Sequence, residues 1–169
     1  MTVNRPENHE RLRREAAKIG IALADDARPL PSIECFGQML PDLFVWFCRN
    51  YANHSGFPHH GWESGFGLLS PFGQESILQR RNAEVRLHNP NWPTHWVIFW
   101  HGTDGDYCFS FDNEGHPWVV YWYYNAGYPE GDQDLALPGH YEATDFEDWF
   151  ADQAGWVTKQ LQEAKLPKI

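Results

Sequence analysis

The stretch WVIFWHGTDGDYCFSFDNEGHPWVVYW, Trp96 to Trp122, limits the fold more than any other part of the chain. Trp96 to Trp100 is a continuous apolar run, the pattern of a strand covered on both faces. Gly102-Thr103-Asp104-Gly105 is turn chemistry. Tyr107, Phe109 and Phe111 then alternate with Cys108 and Ser110, which is the period of two of a strand. Asp112-Asn113-Glu114-Gly115 is a second turn, and Trp118 to Tyr124 is a third strand rich in β-branched and aromatic residues. Strands joined by connections this short are antiparallel neighbours. The stretch is therefore a three-strand meander with two acidic turns.

Helices flank it. Pro6 suits a first helical turn, and Leu12, Ala16, Ile19 and Leu23 recur at helical spacing, so a helix is expected over about 6–25, ended by Asp25, Asp26, Pro29 and Pro31. MLPDLFVWFCRNY reads as a second helix entered at Pro41 and Asp42, with Leu40, Leu43, Phe44, Phe47 and Tyr51 as its stripe and Trp46 widening it. Residues 53–67 are loop-like. LLSPFGQESILQRRNAEVR suggests a short strand or turn, then a third helix capped by Ser70, with Pro71 at its first position, running to about Arg86. After the meander, residues 125–139 read as a long loop. Thr144 with Glu147 three later reads as a capping box for a helix whose inner face is Phe146, Trp149 and Phe150. Gly155 and Trp156 interrupt its pattern before a last amphipathic piece. The order is that of an α+β fold with an antiparallel or mixed sheet around the meander, packed by N-terminal helices and a C-terminal helix. One domain over 1–169 is expected.

Charge placement is more informative than the net value of −10. Residues 91–157 carry twelve acidic groups and no Lys or Arg, whereas residues 1–30 carry six basic and five acidic groups. So anionic a segment argues against a nucleic-acid ligand and favours a basic protein partner. No apolar leader and no run of about eighteen apolar residues is visible, so neither a targeting signal nor a membrane span is expected. Cys35, Cys48 and Cys108 are odd in number and widely spaced, as expected of buried thiols in a cytoplasmic protein rather than of a disulfide framework.

The residues offer several chemistries and support none of them strongly. His101, Asp104 and Asp106 lie close together and His59-His60 sit in a Gly-rich loop, but no HExxH, HxH or cysteine pair supports a metal site. Asp104, Asp106, Asp112 and Glu114 do not match a calcium loop. Ser76 in FGQESIL lacks the nucleophile-elbow pattern, and the cysteines have no neighbouring His in sequence. Gly65-Phe66-Gly67 is too short for a nucleotide fingerprint. Trp92, Trp96, Trp100, Trp118 and Trp122 could stack on sugars, yet their spacing fits core packing better. No catalytic residue, cofactor or metal is expected.

With this order of elements, the chain resembles the SUKH superfamily, the Smi/Knr-type family. The resemblance rests on LPDLFVWFCRNYAN (40–53), GFGLLSPFGQESIL (65–78), the strand–turn–strand–turn–strand stretch quoted above, and ATDFEDWFADQ (143–153). It covers about residues 30–155. The helix at 6–25, the acidic loop 125–139 and the tail after Trp156 depart from it. The resemblance implies a binding protein rather than an enzyme: bacterial members act mainly as immunity proteins that neutralise a cognate polymorphic toxin, often a nuclease. Under that implication Asp104, Asp106, Asp112, Glu114, Glu130, Asp132 and Asp134 form an acidic toxin-binding surface complementary to a basic nuclease cleft. Two other readings stand beside it: a regulatory or scaffolding module with an endogenous partner, and a small hydrolase or sugar-binding protein using the Trp-rich sheet. Oligomeric state is not legible.

Overall fold

The structure, a computed structural model, describes residues 6–23, 28–51, 67–102, 105–123 and 141–165. The elements are α1 (Pro6–Lys18), β1 (Glu34–Cys35), β2 (Gln38–Met39), α2 (Asp42–Tyr51), β3 (Gly67–Leu68), α3 (Ile77–His88), β4 (Trp96–His101), β5 (Gly105–Phe111), β6 (Pro117–Tyr123), β7 (Tyr141–Ala143) and α4 (Phe146–Lys165). This is an α+β fold. The meander β4-β5-β6 forms the centre of a five-stranded sheet ordered β3-β4-β5-β6-β7, and every pairing is antiparallel.

Alternation sorts the strand residues onto two faces. Tyr107, Phe109 and Phe111 face α2 and α4, where Phe44, Phe146 and Trp149 pack against them and against Phe99. Strict alternation would turn either Phe99 or Trp100 away from these helices. A register shift between Ile98 and Trp100 adds a residue, so Phe99 stacks on Phe109 at 4.1 Å while Trp100 also reaches Trp149. The opposite face carries Ile98, Cys108 and Val120, and there Trp92 wedges edge-on against both Trp96 and Trp122. Trp92, Trp96, Trp100 and Trp122 are all buried, which removes the sugar-stacking role for them. The three cysteines are buried and free. Burial pushes the Cys35 thiol up to about 11 and those of Cys48 and Cys108 well above the ordinary value.

The edge of β4 beyond the two-residue β3 is closed by side chains. The Asn82 amide on α3 donates to the Ile98 carbonyl at 2.8 Å and accepts from the Ile98 N–H at 2.8 Å, making the two bonds a neighbouring strand would make. Arg86 donates to the Trp96 carbonyl at 2.8 Å. The helix thus caps a sheet edge that would otherwise expose unpaired backbone groups.

Several boundaries differ from expectation, each for a local reason. α1 ends at Lys18, not near residue 25. Gly20 adopts φ 82°, the Ile21 N–H bonds the Ala16 carbonyl and the Gly20 N–H bonds the Ala17 carbonyl, a Schellman stop placed before the prolines can act. α3 is capped by Ser76, whose hydroxyl accepts from the Gln79 N–H at 3.0 Å; Ser70 instead closes a turn with the Phe72 N–H. The cap of α4 is Asp145, which accepts from the Asp148 N–H at 2.9 Å, while the Thr144 hydroxyl donates to the Asp148 carboxylate. α4 runs unbroken through Gly155 and Trp156, because both lie on its exposed side while Ala154 and Val157 continue the buried stripe. The hairpin β1–β2 was not expected. It turns on Phe36 and Gly37, both at positive φ, and the Arg86 guanidinium lies 4.1 Å from the Phe36 ring centre.

Candidate functional site

The acidic residues named from the sequence do not form one cluster among the described residues. Asp104, Glu130, Asp132 and Asp134 lie outside those residues. Asp106 is a correction: its side chain is fully buried, so it does not present a surface charge. Its carboxylate accepts from Arg81 on α3 at 2.8 Å and faces His101 Nδ1 at 2.6 Å, tying helix to sheet. Six residues of extended chain, about 20 Å, separate it from Asp112. Asp106 pairs across the sheet with His101 and Trp122, while Asp112 follows Phe111 at the other end of the strand.

That other end gathers exposed negative charge. The β5–β6 turn is built on Asp112, whose carboxylate accepts from the Glu114 N–H at 2.9 Å, the His116 N–H at 2.8 Å and, weakly, Trp118 Nε1 at 3.4 Å. The His116 amide above all, with that of Glu114, holds the Asp112 carboxyl below its ordinary range, so it stays ionised through the neutral range. Glu114 and His116 are exposed, and the His116 ring lies 5.0 Å from that of Trp118.

The first turn of α4 adds Asp145, Glu147 and Asp148 to the same end: Ala143 of β7 pairs with Val119, so the chain reaches Asp145 level with the start of β6 at Pro117. α1 supplies the countercharge. Arg11 bonds Asp148, and Asn8 donates to Glu147 at 3.0 Å. The bond from Arg11 holds Asp148 below the ordinary range and pushes the guanidinium up in turn. Burial pushes Asp145 and Glu147 up. Three carboxylates thus share the field of Arg11.

In the sequence Glu147 reads only as the partner of Thr144 in a capping box, and Asp145 and Asp148 carry no signal of their own. Their proximity to the 112–116 turn depends on where α4 docks, and the Arg11 pairing spans 137 residues, so no local pattern carries it. His101 and Asp106 are adjacent in space, but the buried carboxylate is committed to Arg81 and His101. Among the described residues no group of three or more His, Cys, Asp or Glu side chains is arranged to hold a metal ion, and no helix is long and apolar enough to cross a membrane. Ser76 is engaged as a helix cap.

An antiparallel sheet backed by helices, with aromatic faces sealed inside and charged turns left outside, defines an α+β scaffold whose described functional groups lie on its surface. The chain belongs to the SMI1 / KNR4 family (SUKH-1), whose model matches residues 33–152, and its function is of the immunity-protein or SMI1-like type. No curated protein and no solved structure matches the chain significantly.

Proposed function

We propose that this protein is a non-enzymatic immunity protein that binds and neutralises a cognate polymorphic toxin with a basic cleft, a nuclease domain, through acidic surface groups. Family membership over residues 33–152 carries the class of function. The electrostatics support the finer reading. The pairing of Phe111 with Pro117 and of Val119 with Ala143 brings Asp112, Glu114, Asp145, Glu147 and Asp148 toward one end of the sheet, in a segment that holds no Lys or Arg between residues 91 and 157. A phosphate-binding cleft is positive, so this end would steer it into contact, with the half-buried Trp118 as an aromatic anchor. Asp104, Glu130, Asp132 and Asp134 remain part of the proposed contact surface; Asp106 is not, because it is buried.

The reading is tested by rescue. Cells expressing the toxin domain encoded beside this gene should survive when the chain is co-expressed. Killing that persists with the wild-type chain present removes the immunity role. The SMI1-like reading, a regulatory module with an endogenous partner, then takes its place and predicts capture of a host protein by the same acidic end.

A further inference from the structure

The α1 helix precedes the family-matched span of 33–152, yet it is seated on it. Its apolar seam is narrow: among its described side chains the buried apolar ones are Leu12 and Ala16, and Ile19 just past its end continues the line at about one residue per turn. The rest of its hold is polar and aromatic. Trp46 of α2 stacks on the His9 ring at 4.4 Å and 12°, and the Arg13 guanidinium lies 5.5 Å from the Trp46 ring centre. Arg11 and Asn8 engage Asp148 and Glu147 in the first turn of α4. The seat therefore has a tryptophan floor and an acidic rim, and its occupant is an amphipathic helix bearing Arg11, Arg13, Arg14 and Lys18. Two buried apolar side chains, extended by Ile19 past the C-terminus, give a helix of thirteen residues little burial against its ordering entropy. Such an element opens at lower free energy than the core beneath it, which is filled by Phe44, Phe146, Trp149 and Phe150.

We propose that α1 is a detachable strap covering an interaction surface on α2 and α4, and that this surface takes a basic amphipathic helix of a partner when the strap lifts. α1 is the seated template for that ligand: a guanidinium at the acidic first turn of α4, a second cation over Trp46, and one small or branched apolar residue per turn between them. The inference goes beyond the proposed immunity role and holds for a toxin or an endogenous partner alike.

The test uses the full chain. Amide hydrogen exchange should show α1 exchanging at least about tenfold faster than β4 and the first half of α4, because opening is local. Arg11→Gln, at a half-exposed ion pair, should accelerate α1 about fivefold more and leave β4 unchanged. A fluorescein-labelled peptide of residues 6–22 should bind the Arg11→Gln chain saturably, and more weakly at high salt. The same peptide carrying Arg11→Glu should not bind. The proposal is overturned if α1 exchanges as slowly as β4, if the substitution leaves its exchange unchanged, or if the peptide shows no saturable binding. Should Arg11→Gln impair folding, the wild-type exchange rates alone decide.

Discussion

At the scale of single residues, two buried polar side chains hold this fold together where apolar packing cannot. Asn82 stands in for a strand by bonding both backbone groups of Ile98. Asn82→Leu would leave an N–H and a carbonyl unpaired inside, at about 1–3 kcal/mol each. The expected outcome is a melting temperature lowered by about 10 °C for a chain of this size, read by thermal denaturation. Asp106 is the second case. Asp106→Asn removes the charge that Arg81 and His101 share, and because both retain some solvent access and Arg81 keeps Glu84 the expected loss is about 2–3 kcal/mol, below that of a fully buried pair. Glu114→Ala, an exposed turn position, should leave stability unchanged in the same thermal denaturation. The contrast separates a structural acid from a surface one, a distinction the sequence does not make. Asp104, Asp106, Asp112 and Glu114 all read as turn carboxylates until α3 is seen to bring Arg81 against one of them.

At the scale of elements, period and turn chemistry made the meander legible. Alternation at Tyr107, Phe109 and Phe111 and the Asp-Asn-Glu-Gly turn are local, and β4, β5 and β6 lie where those signals place them. What escaped was set by tertiary contact or by a subtler local stop. The hairpin at Phe36-Gly37 puts a phenylalanine at positive φ, against its usual preference, with the ring lying against the Arg86 guanidinium. β7 is three residues held by β6. α1 stops before the prolines because Gly20 takes the left-handed conformation first. The cap of α4 slid by one residue, from Thr144 to Asp145, so Asp145→Ala should cost about 1 kcal/mol and Thr144→Ala less, measurable as separate shifts in melting temperature. The same turn sets a pH response. Asp145 and Glu147 are raised above ordinary values of 3.8 and 4.5, so folding gains as pH falls from neutral through their raised values. Asp148 is depressed, so its contribution is intact above 3.8 and is lost as pH falls through its lowered value. Stability should therefore rise slightly as pH falls from neutral toward the ordinary carboxylate values, and fall below 3.8 as Asp148 takes up its proton. Asp145→Asn with Glu147→Gln, which keeps the cap, should flatten the rise in a melting-temperature series.

At the scale of the whole molecule, charge and core are segregated apart from the buried Asp106. Aromatic rings from α2, α4 and both sheet faces fill the interior, and the carboxylates of the 112–116 turn and the start of α4 share one end outside. The resemblance seen in four sequence segments and the family match over 33–152 agree on the fold, while the sites were only partly legible. Asp112 and Glu114 could be named from their turn. Asp145, Glu147 and Asp148 could not be joined to them, because the docking of α4 against the sheet brings the two segments to one end. The account rests on electrostatic attraction between that end and a positive partner. The measurement that bears on it most directly is the association rate with the toxin domain across ionic strength, for the wild-type chain and for an Asn113→Lys/Glu114→Lys chain, both exposed positions of the 112–116 turn. The account predicts a wild-type rate that falls steeply with added salt, and a variant that associates at least about tenfold more slowly at low salt with a flatter dependence. Equal rates and equal salt slopes for the two chains would contradict it.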